Sequence, residues 1–310
     1  MGNRVREGSG ETRPRTGQAR EDLGLPGAIR VDAGSGAVQG DGDPETAPTP
    51  GREPLPTRVW GLAPLPREYG QVLDEGLRSI EGGGLPAEVR AAIDDHVRLL
   101  LAWNEAINLS GIREAARIAR EHVLDSLAAM PLLRRAGITE LVDLGSGGGY
   151  PGLPLALALP ARRALLVEST AKKARFLEVA AVALGVSDRV VVAAARAEDL
   201  AADPRHRGRW PAAVSRAVAD LTELSELALP LLARGGLLVA WKRLPLDEEL
   251  RAAERAVRQL GGRVVACEAV TVPGLADHVL AVVEKVAPTP PEFPRGAAAR
   301  RRRPLWRRPL

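Results

Sequence analysis

The ten residues Asp143-Leu144-Gly145-Ser146-Gly147-Gly148-Gly149-Tyr150-Pro151-Gly152 carry the most legible chemistry of this chain. They follow the short run 138–142, too brief for a helix, and precede the apolar stretch 153–159. Strand, glycine turn and helix is the order in which α/β folds bring backbone close to a nucleotide-like ligand. Gly145, Gly147 and Gly149 remove the side chains that block such an approach. Pro151 suits a first helical turn, where a missing N–H costs nothing. The dinucleotide fingerprint needs a glycine where Tyr150 stands. An acid, Asp143, lies two positions before the first glycine, and a second, Glu168, ends the apolar run 164–167. An acid for ribose hydroxyls, tight glycines and no phosphate-binding lysine suit a ligand without phosphates, such as S-adenosylmethionine. A nicotinamide dinucleotide and a glycine loop with no ligand are the alternatives these residues leave open.

Other chemistries are poorly supported. A lone cysteine, Cys267, excludes an internal disulfide or a multi-thiolate metal site. His96, His122, His206 and His278 show no paired spacing, so no metal site is expected.

The elements that must position the turn follow from periodicity. A helix is expected over 86–104, with Val89, Ile93, Val97, Leu100 and Leu101 on one face. A second is expected over 113–130, stopped by Pro131. Short apolar runs then alternate with amphipathic segments, which implies parallel βαβ units. Strands are expected at 141–144, 164–167, 190–194, 212–215 and 237–241. Helices between them carry Ala174, Leu177, Ala181 and Leu184; then Leu224, Leu227 and Leu231; then Leu250, Ala253, Val257 and Leu260 behind an Asp247 cap. The runs 263–272 and 278–286 are separated by only Pro273-Gly274-Leu275-Ala276-Asp277, too short for a parallel crossover, so they must form a hairpin. The expected fold is therefore α/β: a Rossmann-like, class I methyltransferase sheet of five parallel strands plus an antiparallel C-terminal hairpin, with preceding N-terminal helices.

The ends read differently. Residues 1–58 hold 11 Gly and 7 Pro with no aromatic residue, and such a stretch cannot bury enough surface to offset its ordering. Residues 287–310 hold seven Arg against Glu292, so the overall net charge of +4 sits in this tail and the rest is close to neutral. Three regions are expected: a disordered leader 1–58, a methyltransferase domain 59–286 with its N-terminal helical extension, and a disordered basic tail 287–310. The tail would add salt-dependent affinity for nucleic acid. No signal peptide or membrane span is expected, and the cytoplasm fits.

Six segments together are similar to one family. Trp103-Asn104 with Asn108-Leu109-Ser110, His122-Val123-Leu124-Asp125-Ser126, the ten-residue turn, Lys172-Lys173-Ala174-Arg175-Phe176-Leu177, Ser215-Arg216-Ala217-Val218 and Trp241-Lys242 occur in one order across 85–285. In this the chain resembles the small-subunit ribosomal RNA guanine-N7 methyltransferases, the glucose-inhibited division protein B family. The resemblance implies methyl transfer from S-adenosylmethionine to N7 of a guanine in 16S ribosomal RNA, with the small ribosomal subunit as partner and a monomeric enzyme. It implies that Gly145 and Tyr150 line the cofactor pocket. Glu168, Ser169 and Thr170 would lie near ribose and adenine, Ala197 and Glu198 against the adenine ring, and Arg216 at the edge facing substrate. Asp143 and Gly147 complete the expected cofactor set. Two positions depart from the family pattern: Trp210-Pro211 stands where an Asp is usual, and Arg243 follows Lys242 in place of Gly.

Guanine N7 carries no proton, so its methylation demands no general base, and no catalytic residue is expected beyond Arg216 as an orienter of substrate. His122 and Asp125, three apart on a helix, are expected to form a structural helix–helix hydrogen-bond pair, with a place near the cofactor mouth as the alternative. Arg113, Arg117, Arg120, Lys172, Lys173, Arg175, Lys242 and Arg243 are the candidate RNA contacts. A small-molecule methyltransferase and a non-enzymatic RNA-binding protein are the competing readings.

Overall fold

The computed structural model describes residues 54–305. Most of the expected leader, and Arg307 and Arg308 of the expected tail, lie outside the described residues.

Two helices come first, α1 (Arg67–Ser79) and α2 (Ala87–Asn104). A three-part helix, α3, follows: Ala115–Ile118, a π-helical turn Ala119–Leu124, and Asp125–Leu127. Next comes α4 (Met130–Arg135). The remaining elements are β1 (Glu140–Leu144), α5 (Gly152–Ala158), β2 (Arg163–Val167), α6 (Ala171–Ala183), β3 (Val190–Ala193), α7 (Ala197–Ala202), β4 (Trp210–Arg216), α8 (Leu221–Ala228), β5 (Leu232–Arg243), α9 (Asp247–Gln259), β6 (Gly262–Ala269), β7 (His278–Lys285) and α10 (Ala297–Arg302).

The strands form one seven-stranded sheet in the order β3-β2-β1-β4-β5-β7-β6. β1 to β5 are parallel, while β7 runs antiparallel to β5 and to β6. The expected five-plus-hairpin sheet is therefore present. Its central strands are buried on both faces, which is why they read as continuous apolar runs. The pleat separates neighbours. Leu141, Leu166, Val192 and Val214 pack into the core under α1–α6, whereas Val142, Leu165, Val191 and Ala213 pack into the core under α7–α9.

Three local readings need correction. α1 went unread, because Gly70 and Gly76 interrupt its apolar pattern, although Tyr69, Leu73 and Gly76 form its buried face. A methyl at Gly76 would overlap the Leu124 side chain, so close packing against α3 selects the glycine. Pro131 does not merely stop a helix; it occupies the first turn of α4, where its missing N–H is harmless. Asp247 is the first residue of α9 rather than its cap, which is Leu246.

Residues 287–305, expected to be unfolded, are docked on the domain. Arg207 donates to the carbonyls of Phe293, Thr289 and Pro290 at 2.7, 3.2 and 3.1 Å. Arg295 grips the buried Glu226 with a two-pronged ion pair (Nε–Oε1 2.8 Å, Nη2–Oε2 2.6 Å), and Phe293 is buried. Composition reported too few apolar residues for a core. It could not report that the arginines find buried carboxylates on a surface already folded. At the other end, residues 54–58 are held as well, with Trp103 Nε1 donating to Pro56 O at 2.7 Å.

Candidate active site

The glycine turn hangs from the C-terminal end of β1. The N–H groups of Gly145 and Ser146 both donate to Val167 O of β2, at 2.9 and 3.1 Å, which pins the turn across two strand ends. Gly145, Gly147 and Gly149 have φ of +76°, +55° and +94°, a region in which a side chain is strained. The Gly148 carbonyl accepts from Nε2 of the fully buried His96 at 2.8 Å, and burial lowers that imidazole to about 4.

Asp143, expected in the cofactor set, is turned inward. It lies fully buried beneath the turn, with Oδ2 accepting from Gly152 N at 3.0 Å as α5 begins, and Oδ1 has no partner. Burial raises its carboxyl to about 7. A Cβ at Gly152 would come within 2.6 Å of Asp143 and of Leu166, so this glycine is dictated by packing. Glu168 stands at the tip of β2, where it was expected. Its two oxygens accept from Gly147 N at 3.0 Å and Thr170 N at 2.7 Å, so the acid sets the shape of the turn.

Two cavities meet at Gly145 and Ala219. The smaller, about 180 Å³, lies over the C-terminal ends of β1, β2 and β3 and is lined by Gly145, Ser169, Ala197, Glu198, Val218 and Arg300 among others. The larger, about 580 Å³, is lined by the turn from Gly145 to Gly148, by Tyr150, and by His122, Asp125, Arg216, Trp241 and His278. The fold thus brings Gly145, Gly147, Tyr150, Ser169, Ala197, Glu198 and Arg216 to the cavity walls. Asp143 and Glu168 are buried behind them, and Thr170 is exposed but lines neither cavity.

Arg216, from the end of β4, is fastened rather than free. Its Nη1 donates to Asp125 Oδ2 at 2.9 Å and to Glu121 O at 2.8 Å, and its guanidinium carbon lies 5.6 Å from the Tyr150 ring centroid. Its Nη2 lies 3.2 Å from His122 Nδ1, which also lies 3.1 Å from Glu121 O, and His122 Nε2 is hydrogen-bonded to Ser110 Oγ at 2.6 Å. Burial, then the charge of Arg216, lowers His122 to about 4, so it is neutral near pH 7. The Tyr150 ring lies between His96 and His122 with both centroids at 4.8 Å, and its buried hydroxyl has no hydrogen-bond partner. Asn104 holds the loop that carries Ser110, accepting from Leu109 N and Ser110 N at 2.8 and 2.9 Å.

His122 and Asp125 do not form the expected pair with each other. Asp125 instead joins Arg216 to His278, whose Nδ1 lies 2.8 Å from Asp125 Oδ1. The π-helical turn widens α3 by one residue just where Glu121, His122 and Asp125 meet the cavity, a common use of such insertions. Sequence reading missed His278, the Trp241 Nε1 bond to Asp125 O at 2.7 Å, and the positive φ of Ala217 (+59°) beside Arg216. None of these leaves a local pattern. Of the candidate RNA contacts, Arg117 is paired with Glu121 at 2.7 Å, Lys242 with Glu249 and Ala219 O, and Arg243 with Asp277 at 3.3 Å.

The sequence profile of GidB, rRNA small subunit methyltransferase G, matches residues 90–276 of the chain. The chain belongs to this family. It is 40% identical over 236 residues to "Ribosomal RNA small subunit methyltransferase G" of Roseiflexus castenholzii, covering 75% of this chain and all of that protein. It is 42% identical over 226 residues to the protein of the same name from Deinococcus deserti, covering 72% of this chain and 92% of that one. Among solved structures, an O-methyltransferase from Bacillus cereus in complex with SAH superposes with a TM-score of 0.45 at 17% identity, covering 62% of this chain and 91% of that one.

Proposed function

We infer that this GidB-family protein transfers the methyl group of S-adenosylmethionine to N7 of a guanine in 16S ribosomal RNA. Membership of a family of small-subunit rRNA methyltransferases makes it an enzyme of that class. The observation that carries the cofactor assignment is the exposed backbone of Gly145, shared by the two cavities at the switch point of the sheet.

The residues present suit this cofactor. A Cβ on Gly147 would meet nothing closer than 3.9 Å, so the turn leaves open space on the larger cavity. The Tyr150 side chain lies on the same wall, with its hydroxyl buried and without a hydrogen-bond partner. In this reading Gly145, Gly147 and Tyr150 hold the methionine part. Ser169, Ala197 and Glu198 hold adenosine, and Glu168 and Thr170 act through the shape of the turn. Asp143 contributes indirectly, by fixing the start of α5.

S-adenosylmethionine supplies an electrophilic methyl carbon on sulfonium. The chain's task is to present guanine N7 in line with it, at about 3 Å, and such positioning contributes on the order of 7–11 kcal/mol. No proton leaves N7, and the residues of the larger cavity match that demand. Burial and Arg216 lower His122 to about 4, which leaves it a neutral, weakly basic imidazole, and Asp125 is committed to Arg216 and His278. Arg216, held rigidly by Asp125, presents fixed positive charge that orients the base or a neighbouring phosphate. Arg113, Lys172 and Arg175 are exposed and available to RNA phosphates. Among the described residues no helix is long and apolar enough to cross a membrane. The reading places the protein, as a monomer, in the cytoplasm with the subunit it modifies.

The test is methyl transfer from labelled S-adenosylmethionine to small subunits from a strain lacking its own enzyme, followed by N7-specific strand cleavage. One labelled guanine in 16S ribosomal RNA is expected. Label confined to free small molecules, or none despite cofactor binding, overturns the assignment.

A further inference from the structure

The docked C-terminal segment ends on the smaller cavity. Beyond its anchors at Arg207 and Glu226, the chain turns into α10, and Arg300 reaches inward with only 6% of its side chain exposed. Its three nitrogens are directed. Nη1 donates to Arg295 O at 2.6 Å, Nε to Glu223 Oε1 at 3.1 Å, and Nη2 to Glu198 Oε1 at 3.2 Å. Glu198 lies in the first turn of α7 after β3, and both Glu198 and Arg300 line the cavity together with Gly145, Ser169 and Ala197.

We propose that the C-terminal segment is a wall of the cofactor pocket, with the Arg300 guanidinium closing the smaller cavity over the adenosine end of S-adenosylmethionine. The proposal rests on the cofactor reading above. It concerns a residue outside 90–276, the span shared with the family profile. Three observations support it. The guanidinium is planar, nearly dehydrated and set at the cavity wall, which suits the face or the ring nitrogens of a purine. The segment that carries it is held by contacts that do not involve the cavity, the Arg295–Glu226 pair and the Arg207 carbonyl cluster, so the wall is prepared before a ligand arrives. The opposite wall is formed by strand ends β1, β2 and β3, where α/β sheets of this order receive a nucleoside.

The experiment is calorimetry of the full chain with S-adenosylhomocysteine and with 5′-methylthioadenosine, which lacks the amino acid. Wild type is compared with Arg300→Met, which keeps the Arg295–Glu226 anchor, and with Arg301→Ala, an exposed neighbour. Arg300→Met is expected to weaken both ligands by the same factor, about tenfold, while Arg301→Ala stays within twofold of wild type. Affinity within twofold in Arg300→Met overturns the proposal, as does a loss for S-adenosylhomocysteine that methylthioadenosine does not share. Hydrogen exchange on the wild type provides a measurement that needs no variant. S-adenosylhomocysteine should slow exchange in 297–302 together with 197–202, and unchanged exchange in 297–302 contradicts the wall. Wild type that binds neither ligand sinks the cofactor reading itself, which separates the two failures.

Discussion

Replacing Asp125 by alanine removes the carboxylate that joins Arg216 to His278 at the floor of the larger cavity. Its side chain is 1% exposed and that of Arg216 16%, with 2.9 Å between Nη1 and Oδ2. Deleting one member of such a pair strands the other charge, and buried cases lose about 3–5 kcal/mol. Arg216 keeps some solvent and its bond to Glu121 O, so the low end, about 3 kcal/mol, is expected. For a folded body of this size each kcal/mol is worth about 2–4 °C, so Tm should fall by about 6–12 °C. The double variant with Arg216→Met should recover much of the loss, because no unpaired charge then remains, with a coupling of about 2 kcal/mol in a mutant cycle. Methylation by Asp125→Ala should fall at least tenfold in kcat/KM for ribosomal RNA, since Arg216 no longer holds its place over Tyr150. Urea unfolding and a filter-binding methylation assay read the two effects. A stability change below about 0.5 kcal/mol, or strict additivity in the cycle, would show that the pair does not act as drawn.

Gly147→Val should leave a folded protein, weakened by about 1–2 kcal/mol through its left-handed backbone, yet abolish S-adenosylhomocysteine binding in calorimetry; unchanged affinity counts against the pocket. Asp143→Asn tests the buried carboxyl by its pH dependence. A folded value near 7 above the ordinary 3.8 means that the fold prefers the protonated acid. Its contribution is whole below about pH 4 and is lost as pH rises through 7, so the asparagine variant should gain stability relative to wild type between pH 4 and 8. A difference that stays flat across that range refutes the assignment. Glu226→Gln unpairs Arg295 at a site where the acid is 1% exposed, so a loss of about 3 kcal/mol and faster tryptic cleavage within 287–305 are expected. A Tm equal to wild type would mean that the docked segment adds nothing to stability.

The amino-acid sequence alone determined the sheet, the hairpin and the glycine turn, because each depends on periodicity or chain length within a short window. Leu141–Leu144 and Val190–Ala193 had to be buried strands, and the eight-residue link between β6 and β7 is still too short for a parallel crossover and admits only an antiparallel return. The left-handed turn at Gly145 and Gly147 was legible for the same reason, since a glycine-rich bend after a strand is a local property. The part played by Asp143 was not legible, because an acid beside a turn looks the same whether it faces outward or braces Gly152 from below. Only tertiary structure decided that, and only it joined Asp125 to His278 across 153 residues, widened α3 at His122, and turned an arginine-rich tail into a docked segment with Arg300 at a cavity. Those features are pairings between distant charges whose value depends on burial, and burial is created by the fold as a whole.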